Sequence, residues 1–578
     1  MSLRSLVMTS APSPTTGSLD LRDRTAAFAR LDADEFDVVV IGAGITGAGV
    51  ARDAALRGLR VALVEARDIA SGTSSRSSKM IHGGLRYLAQ GDVGLVREAA
   101  TERQVLRRIA PHLTRITPFV MPGSRGSIAK VRAGLVAFER LGKVPRDERH
   151  RTLDAAELLE LEPTLAPDTF PAGVVYPEFL TNDARLTVAN VRSAVAAGAT
   201  VLTHAPVTSI LVGSNGRANG VEVRGDLPGE SLRAVARTRM VVNAAGPWVD
   251  AVRALEEAEA PSRLALTKGI HVVVPHHRLP VTDTVITLGA DKRPVFAVAA
   301  GPVTYLGTTD TFYAEPDEWP RIDAEDVQYL FDAMARTFDG PTLDGSDVVS
   351  MWAGVRPLIA PEGGNGDAAP SELSRKDETW IGPAGVVAVA GGKLTAYRTM
   401  AERIVDGLVA ELGTGATRCR TADVPLVGGD VDVEELVERL TPTVGSGARR
   451  LVDLWGSEAE LIAADCTSGA ASSGTSGSQS TVPSETDGTD TVEAEVRHAV
   501  AHEGALRLED VWIRRAARAW FTTDPVGDDL DRAAVAMGDL LGWSSGRRAD
   551  ELASCRRIHD DALACLADLT IEPAPQPA

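Results

Sequence analysis

A chain of 578 residues is too long for one hydrophobic core, and a net charge of −19 argues against nucleic acid as its main partner. Its apolar (44%) and charged (24%) fractions are those of a globular protein of two or three domains, so an anionic substrate needs cations gathered locally. Cys419, Cys466, Cys555 and Cys565 form no C-x-x-C pair, which fits a reducing cytoplasm and gives no reason to expect a metal. No run reaches the length of a membrane-spanning helix, and the first residues lack the apolar core of a signal peptide.

Residues 1–35 read as an extension that is disordered or partly helical, with Leu19 to Leu31 as the helical stretch. The run Val38 to Ile41 has the continuous apolar character of a strand buried on both faces. Gly42-Ala43-Gly44-Ile45-Thr46-Gly47 follows, then an Ala-rich helix from Gly49 to Arg57 and a second apolar run, Leu59 to Val64, ending in Glu65. This is the G-x-G-x-x-G unit in its strand–turn–helix setting with the acid at the expected offset. Gly42 makes the turn, Gly44 lets the backbone approach a pyrophosphate, and Gly47 packs helix on strand. The helix amides hold phosphate charge, and Glu65 accepts from a ribose. The next loop, Arg67 to Leu88, mixes small hydroxyl residues, glycines and cations, which suits a wrapped phosphate chain and a flavin edge.

Val93 to Ile109 reads as a helix, and Thr117 to Pro122 as a strand and loop. Ser124 to Arg151 is locally basic, and Ile128, Val131, Leu135 and Phe138 recur in it at helical spacing. It is either a solvated helix packed on its own domain or a basic amphipathic surface for anionic lipid. Strands are expected at Thr200 to Thr203, Val207 to Val212, Val221 to Val223 and Arg239 to Asn243, the last ending at Ala244-Ala245-Gly246. Leu264 to Val274, Val285 to Leu288, Val295 to Val298, Thr304 to Gly307 and Val348 to Arg356 read as a second sheet. Val386 to Ala390, Gly391-Gly392-Lys393 and a helix to Leu412 repeat the strand–glycine–helix unit. Beyond Asp423 the pattern is helical, including Leu506 to Ala519, with a Ser-Thr-Gly insertion at 467–491.

The blocks GAGITGAG (Gly42 to Gly49), TSSRSSKMIHGGLRYL (Thr73 to Leu88), NAAGPW (Asn243 to Trp248), KGIHVVVP (Lys268 to Pro275), GTTD (Gly307 to Asp310), GVRPL (Gly354 to Leu358) and GGKLTAYR (Gly391 to Arg398) occur in order over most of the chain. In these blocks the sequence resembles the FAD-dependent, respiratory, quinone-linked glycerol-3-phosphate dehydrogenases. The resemblance implies an α/β fold: a Rossmann-like FAD-binding domain with an inserted, mainly antiparallel substrate-domain sheet, and a C-terminal helical domain. The corresponding divisions are 36–422 for the FAD-binding domain, with a discontinuous substrate domain mainly at 93–180 and 260–380, and 423–570 for the helices.

It also implies FAD as cofactor, held by Gly42, Gly44, Gly47, Glu65, Thr73, Ser74, Ser78, His82, Gly84, Val207, Ala245, Gly246, Trp248, Gly392, Lys393, Leu394 and Thr395. The implied substrate is sn-glycerol 3-phosphate, a small dianion best held by guanidinium forks. Arg86, Tyr87, Arg356, Arg375 and Lys393 are its expected ligands, together with His271 as the base. Catalytic roles fall to His271, Arg356 and Lys393. A close relative would carry serine where this chain has Ile270, which leaves the base without an obvious polar neighbour. Electrons are expected to pass to a membrane quinone from an enzyme bound peripherally to the inner face of the plasma membrane, possible as an oligomer. Rival readings are an oxidase of the same family that uses oxygen, a flavin oxidase of a small amino acid, and a non-catalytic binder.

Overall fold

The computed structural model describes residues 17–82, 93–142, 144–340, 342–360, 377–472 and 490–569. The first sheet is built on Glu35–Ile41, which runs parallel to Val61–Val64 on one side and to Arg233–Asn243 on the other. Thr200–Leu202 extends it beyond Val61–Val64, and Val387–Ala390 and Glu378–Ile381 extend it beyond Arg233–Asn243. Val38 and Val40 face helices Ile45–Leu56, Asp183–Ala196 and Tyr397–Leu412; Val39 and Ile41 face helix Arg24–Ala33 and the hairpin Val207–Val212/Ala218–Arg224. Two buried faces are the reason this strand shows no polar alternation.

The second sheet is antiparallel except where Thr284–Leu288 runs parallel to Arg115–Gly123. Its centre is the long strand Leu264–Pro275, flanked by Ser350–Ile359 and Val303–Gly307. Helix Ala324–Ala335 covers one face through Val327, Leu330, Phe331 and Met334, packed on Ile270, Val272 and Val274. Three short elements escape the sequence pattern: strands Met80–Ile81, Arg151–Asp154 and Glu378–Ile381, all too brief or too polar to stand out.

Beyond Val433 the described residues are helical around a core that includes Leu451, Trp455, Val496, Leu508 and Met537. Helix Ala459–Ser472 enters the stretch read as an insertion, and residues 473–489 lie outside the described residues. Leu506 to Ala519 is not one helix. It coils late, with Asp510–Arg515 as a π-helical turn that sets Arg514 and Arg515 side by side on buried Asp68, at 2.5 and 2.7 Å. Arg185 forks onto Glu503 at 2.7 Å through both terminal nitrogens, and Arg192 pairs with Glu458. These ion pairs lie between the first sheet's helices and loops and the C-terminal helices. Leu19, in the predicted extension, adds a backbone bond to His502.

Candidate active site

At the carboxyl ends of the parallel strands lies a cavity of about 550 Å³, walled by both strand–glycine–helix units. This is the crevice in which open α/β sheets bind ligands. Gly42 turns with φ +102°, and a Cβ there would stand 2.7 Å from the Ala244 carbonyl oxygen. A Cβ on Gly47 would overlap the Gly42 carbonyl, so this glycine serves helix–strand packing. Gly44 is different: a Cβ would meet only Ser74 Oγ at 3.2 Å, so what needs its bareness lies on the cavity side.

Glu65 is buried at the cavity wall and accepts from the Ala43 and Arg67 amides at 2.6 and 2.9 Å. Burial raises its pKa against the pull of those two bonds. Thr73 and Ser74 also line the cavity, and Ser74 Oγ takes the Ile45 amide at 2.9 Å. Val207, Ala245, Gly246 and Trp248 form further wall, and Arg67 stacks 4.8 Å over the Trp248 ring. Gly392, Lys393 and Leu394 close the opposite end. Thr395 lies just behind, its hydroxyl donating to the His82 carbonyl at 3.3 Å. The His82 ring is exposed and 6.4 Å from Phe296.

Ser78 is not on this wall. Its Oγ stands 2.9 Å from His271 Nε2, which supplies the polar neighbour that Ile270 does not. The seat of Ser78 is built from both sides. Asp183 accepts from the Ser77 amide and hydroxyl and from Lys79 Nζ (2.9, 2.7 and 2.6 Å), while Tyr305 and Trp352 donate to the Ser78 and Ser77 carbonyls at 3.0 and 3.3 Å. His271 is 1% exposed and stacked on Trp352, with centroids 4.7 Å apart and planes 13° apart. Gly307, opposite it in register, leaves room for the ring: a Cβ there would be 2.6 Å from Nε2. Burial lowers the His271 pKa well below the usual imidazole value, and Arg356 and Lys79 lower it further.

Arg356 lies on the adjoining strand, one residue before Pro357 of the cavity wall. It donates to Asp310 Oδ1 at 3.0 Å, Thr308 Oγ1 at 3.1 Å and the Thr309 carbonyl at 3.2 Å. A Cβ on Gly269 would strike this guanidinium. His271 and Arg356 thus stand on adjoining strands with their charges in reach of one another, and Lys393 lies on the cavity wall. Arg86, Tyr87, Gly84 and Arg375 lie outside the described residues. Nothing in the sequence pattern places Asp183, Lys79, Thr308, Asp310 or Trp352 in the site. The only signal for Thr308 and Asp310 was the GTTD block itself.

The basic segment does not present a lipid-facing apolar stripe. In helix Arg125–Leu141, Ile128, Leu135 and Phe138 are buried, Ile128 and Leu135 against Ala172 and Val174 and Phe138 against Val96 and Ala100. Lys130, Arg132 and Arg140 are exposed on it, together with small residues such as Ser127, Ala129 and Ala133.

The residues present fit a dinucleotide: bare glycines at the turn, a buried carboxylate at the end of the second strand and a cleft between two helix N-termini. The profile of the FAD dependent oxidoreductase family matches residues 37–398, and that of the C-terminal domain of alpha-glycerophosphate oxidase matches 419–548. The aerobic glycerol-3-phosphate dehydrogenase of Staphylococcus saprophyticus is 38% identical over 533 residues, covering 89% of this chain and 92% of that one. The enzyme of the same name from Staphylococcus haemolyticus is 36% identical over 555 residues, covering 92% and 95%. The glycerol-3-phosphate dehydrogenase of Bacillus halodurans, solved with FAD, superposes with a TM-score of 0.77 at 29% identity, covering 96% of this chain and 100% of that one. With this cleft and these matches, the chain belongs to the FAD-dependent aerobic glycerol-3-phosphate dehydrogenase family.

Proposed function

We propose that the protein oxidises sn-glycerol 3-phosphate to dihydroxyacetone phosphate and passes the electrons to a membrane quinone, from a position bound peripherally to the membrane. The observation that carries the substrate reading is Arg356, a guanidinium seated by Asp310 and Thr308 on the strand beside His271. FAD, when bound, is the acceptor of the hydride from C2.

The chain's own residues do the rest. Arg356 binds the phosphate, with Arg86, Tyr87 and Arg375 as further ligands. His271 takes the C2 hydroxyl proton, and it is neutral at pH 7 because burial and two flanking cations hold its pKa down. Ser78 orients the imidazole. Lys393, on the cavity wall, would supply positive charge to the cofactor in its reduced, anionic form. Glu65 binds the ribose, while Gly42, Gly44, Thr73 and Ser74 admit and hold the pyrophosphate.

Among the described residues no helix is long and apolar enough to cross a membrane, so contact with a bilayer quinone would be made from its surface. The match to an oxidase C-terminal domain supports a second reading, with oxygen as acceptor. The test is anaerobic: glycerol 3-phosphate should bleach the flavin, and a short-chain quinone should restore its colour much faster than oxygen. Bleaching by unphosphorylated glycerol at an equal rate would refute the phosphate role of Arg356. Faster return with oxygen would establish the oxidase.

A further inference from the structure

Trp520 and Phe521 follow the π-helical turn of the C-terminal region, yet they pack on the second sheet. Arg514 and Arg515 pin that turn on Asp68. Ala517 then takes a left-handed φ of +55°, and its carbonyl accepts from the Phe521 amide at 3.3 Å. The chain folds back there, and the Trp520 indole, 4% exposed, joins Val273, Tyr305 and Trp352 in one buried cluster. This is the sheet face away from helix Ala324–Ala335, because Ile270, Val272 and Val274 fill the face toward it. Strand alternation puts His271 on the same face as Val273.

A row of rings crosses that face. His271 stacks on Trp352 with centroids 4.7 Å and planes 13° apart, and Trp520 lies 5.1 Å from Trp352 at 31°. Phe521 meets Trp352 and Tyr305 edge-on at 6.0 and 6.1 Å. The same two residues close on Lys79. Its ammonium stands 4.8 Å from the Trp520 ring, 5.3 Å from Trp352 and 5.8 Å from Phe521, while it donates to Asp183 and the Ser75 carbonyl at 2.6 and 2.8 Å. A desolvated cation on ring faces is held more firmly than one at the surface. Lys79 directly follows Ser78, the partner of His271, and its φ of +57° persists only where its surroundings fix it. Trp520 therefore packs on the ring that carries the imidazole and on the residue that sets Ser78, and it is not on the wall of the flavin cleft.

We propose that Trp520 is a positioning residue for the oxidation: from the C-terminal region it holds Trp352 and Lys79 in place, and through them the plane of His271 and the approach of Ser78. The proposal rests on His271 being the base. It gives the C-terminal region a share in the chemistry that no sequence motif assigned to it. Removing the indole opens a void beside a buried ammonium, and a void with a polar wall admits water. Water there weakens both influences that keep His271 neutral, its burial and the field of Lys79. The charged groups around the imidazole are Arg356 with Asp310 and Lys79 with Asp183, and burial keeps the neighbouring Tyr305 protonated. Trp520 and Phe521 bring no charge of their own, so any shift on their removal comes through these groups.

The test is anaerobic stopped-flow bleaching of flavin-loaded full-length protein by glycerol 3-phosphate, in Trp520→Leu, Trp520→Phe and Trp512→Leu. Trp512 is the control, an indole of the helical core that donates to the Pro525 carbonyl at 2.8 Å. Trp520→Leu should bleach about tenfold more slowly at saturating substrate, with half-saturation within about twofold of the parent. Its acid limb at low substrate should move up toward pH 6.5, as His271 regains its ordinary basicity. Trp520→Phe keeps a ring and should come within about threefold of the parental rate. Trp512→Leu should match the parent in rate and limb. A flavinated Trp520→Leu with parental rate and limb overturns the proposal. So does a Trp512→Leu variant that reproduces the changes, since the cause is then general loosening. If Trp520→Leu does not fold, Phe521→Leu replaces it, with a smaller shift in the same direction, and parental behaviour there overturns the proposal. Bleaching of the parent with no acid limb below pH 6.5 removes His271 as the base and the proposal with it. No bleaching at all refutes instead the substrate reading on which both rest.

Discussion

Gly269→Ala tests the phosphate clamp without touching a charged residue. Gly269 lies mid-strand, paired with Gly354, and its backbone accommodates alanine. The added Cβ would stand 2.6 Å from Thr308 Oγ1 and 2.7 Å from Arg356 Cζ, with Nη2 closer still. Non-bonded carbon atoms settle near 3.5 Å, so the guanidinium must retreat by roughly 0.8 Å or more and forfeit its bonds to Thr308 and Thr309. The side chain is only half-buried and can swing aside, so the folding penalty should sit near the low end for overpacking, about 1 kcal/mol. Removing one member of a charged clamp costs ~2–5 kcal/mol. Displacement keeps the charge, so the expected loss is about 2 kcal/mol, or roughly 30-fold in KM for glycerol 3-phosphate. Flavin content should not change, because Gly269 is not on the wall of the flavin cleft. Steady-state kinetics at saturating acceptor, with absorbance at the flavin maximum per chain, measure both. A KM within twofold of the parent in a fully flavinated variant would show that Arg356 does not hold the phosphate.

Ser78→Ala should leave flavin occupancy intact while lowering the anaerobic bleaching rate by about 1 kcal/mol of orientation, roughly fivefold, and Ser78→Thr should recover most of it. Loss of flavin instead would return Ser78 to the cofactor. The acid limb of kcat/KM, which reports the free enzyme, should lie below pH 6.5: the His271 pKa is depressed by burial, Arg356 and Lys79, so activity is full above it and lost as pH falls through it. A limb at or above 6.5 would remove His271 as the base. Glu65→Ala should weaken FAD by ~1–3 kcal/mol, seen as flavin lost on dilution, and undiminished affinity would contradict the ribose assignment. Asp68→Asn takes the carboxylate from buried Arg515 while Arg514 keeps Asp510 at 2.8 Å, and should cost ~3–5 kcal/mol in denaturant unfolding, whereas a change under 1 kcal/mol would mean that water reaches Arg515.

What the sequence made legible was local. The first glycine unit could be read because strand, turn, helix and acid follow within thirty residues, each with its own periodicity or spacing. The second sheet's main strands were legible as apolar runs. Contacts across the chain were not: Ser78 and His271 are 193 residues apart, and nothing in the flavin loop distinguishes a hydroxyl facing phosphate from one facing imidazole. Gly269 and Gly307 read as ordinary strand residues, although one makes room for a guanidinium and the other for an imidazole. The row Ile128, Leu135 and Phe138 left two readings open for a different reason. Helical spacing says that a face is buried, not what buries it, and here the chain's own strand and helix do so.

The acidic balance of the chain becomes intelligible at this site. Each cation near His271 arrives with its carboxylate, Lys79 with Asp183 and Arg356 with Asp310, because burying either cation unpaired would cost several kcal/mol. The pairs fix where the positive charge lies rather than abolishing it, and its residual field is what helps burial keep His271 unprotonated. A dianion seated on Arg356 would reverse that balance, because added negative charge beside the ring stabilises imidazolium. The same placement that leaves the base unprotonated in the free enzyme would therefore strengthen it once the phosphate is in position. A neutral polyol would leave the field of Arg356 in place. Discrimination against it would then act on proton removal as well as on binding.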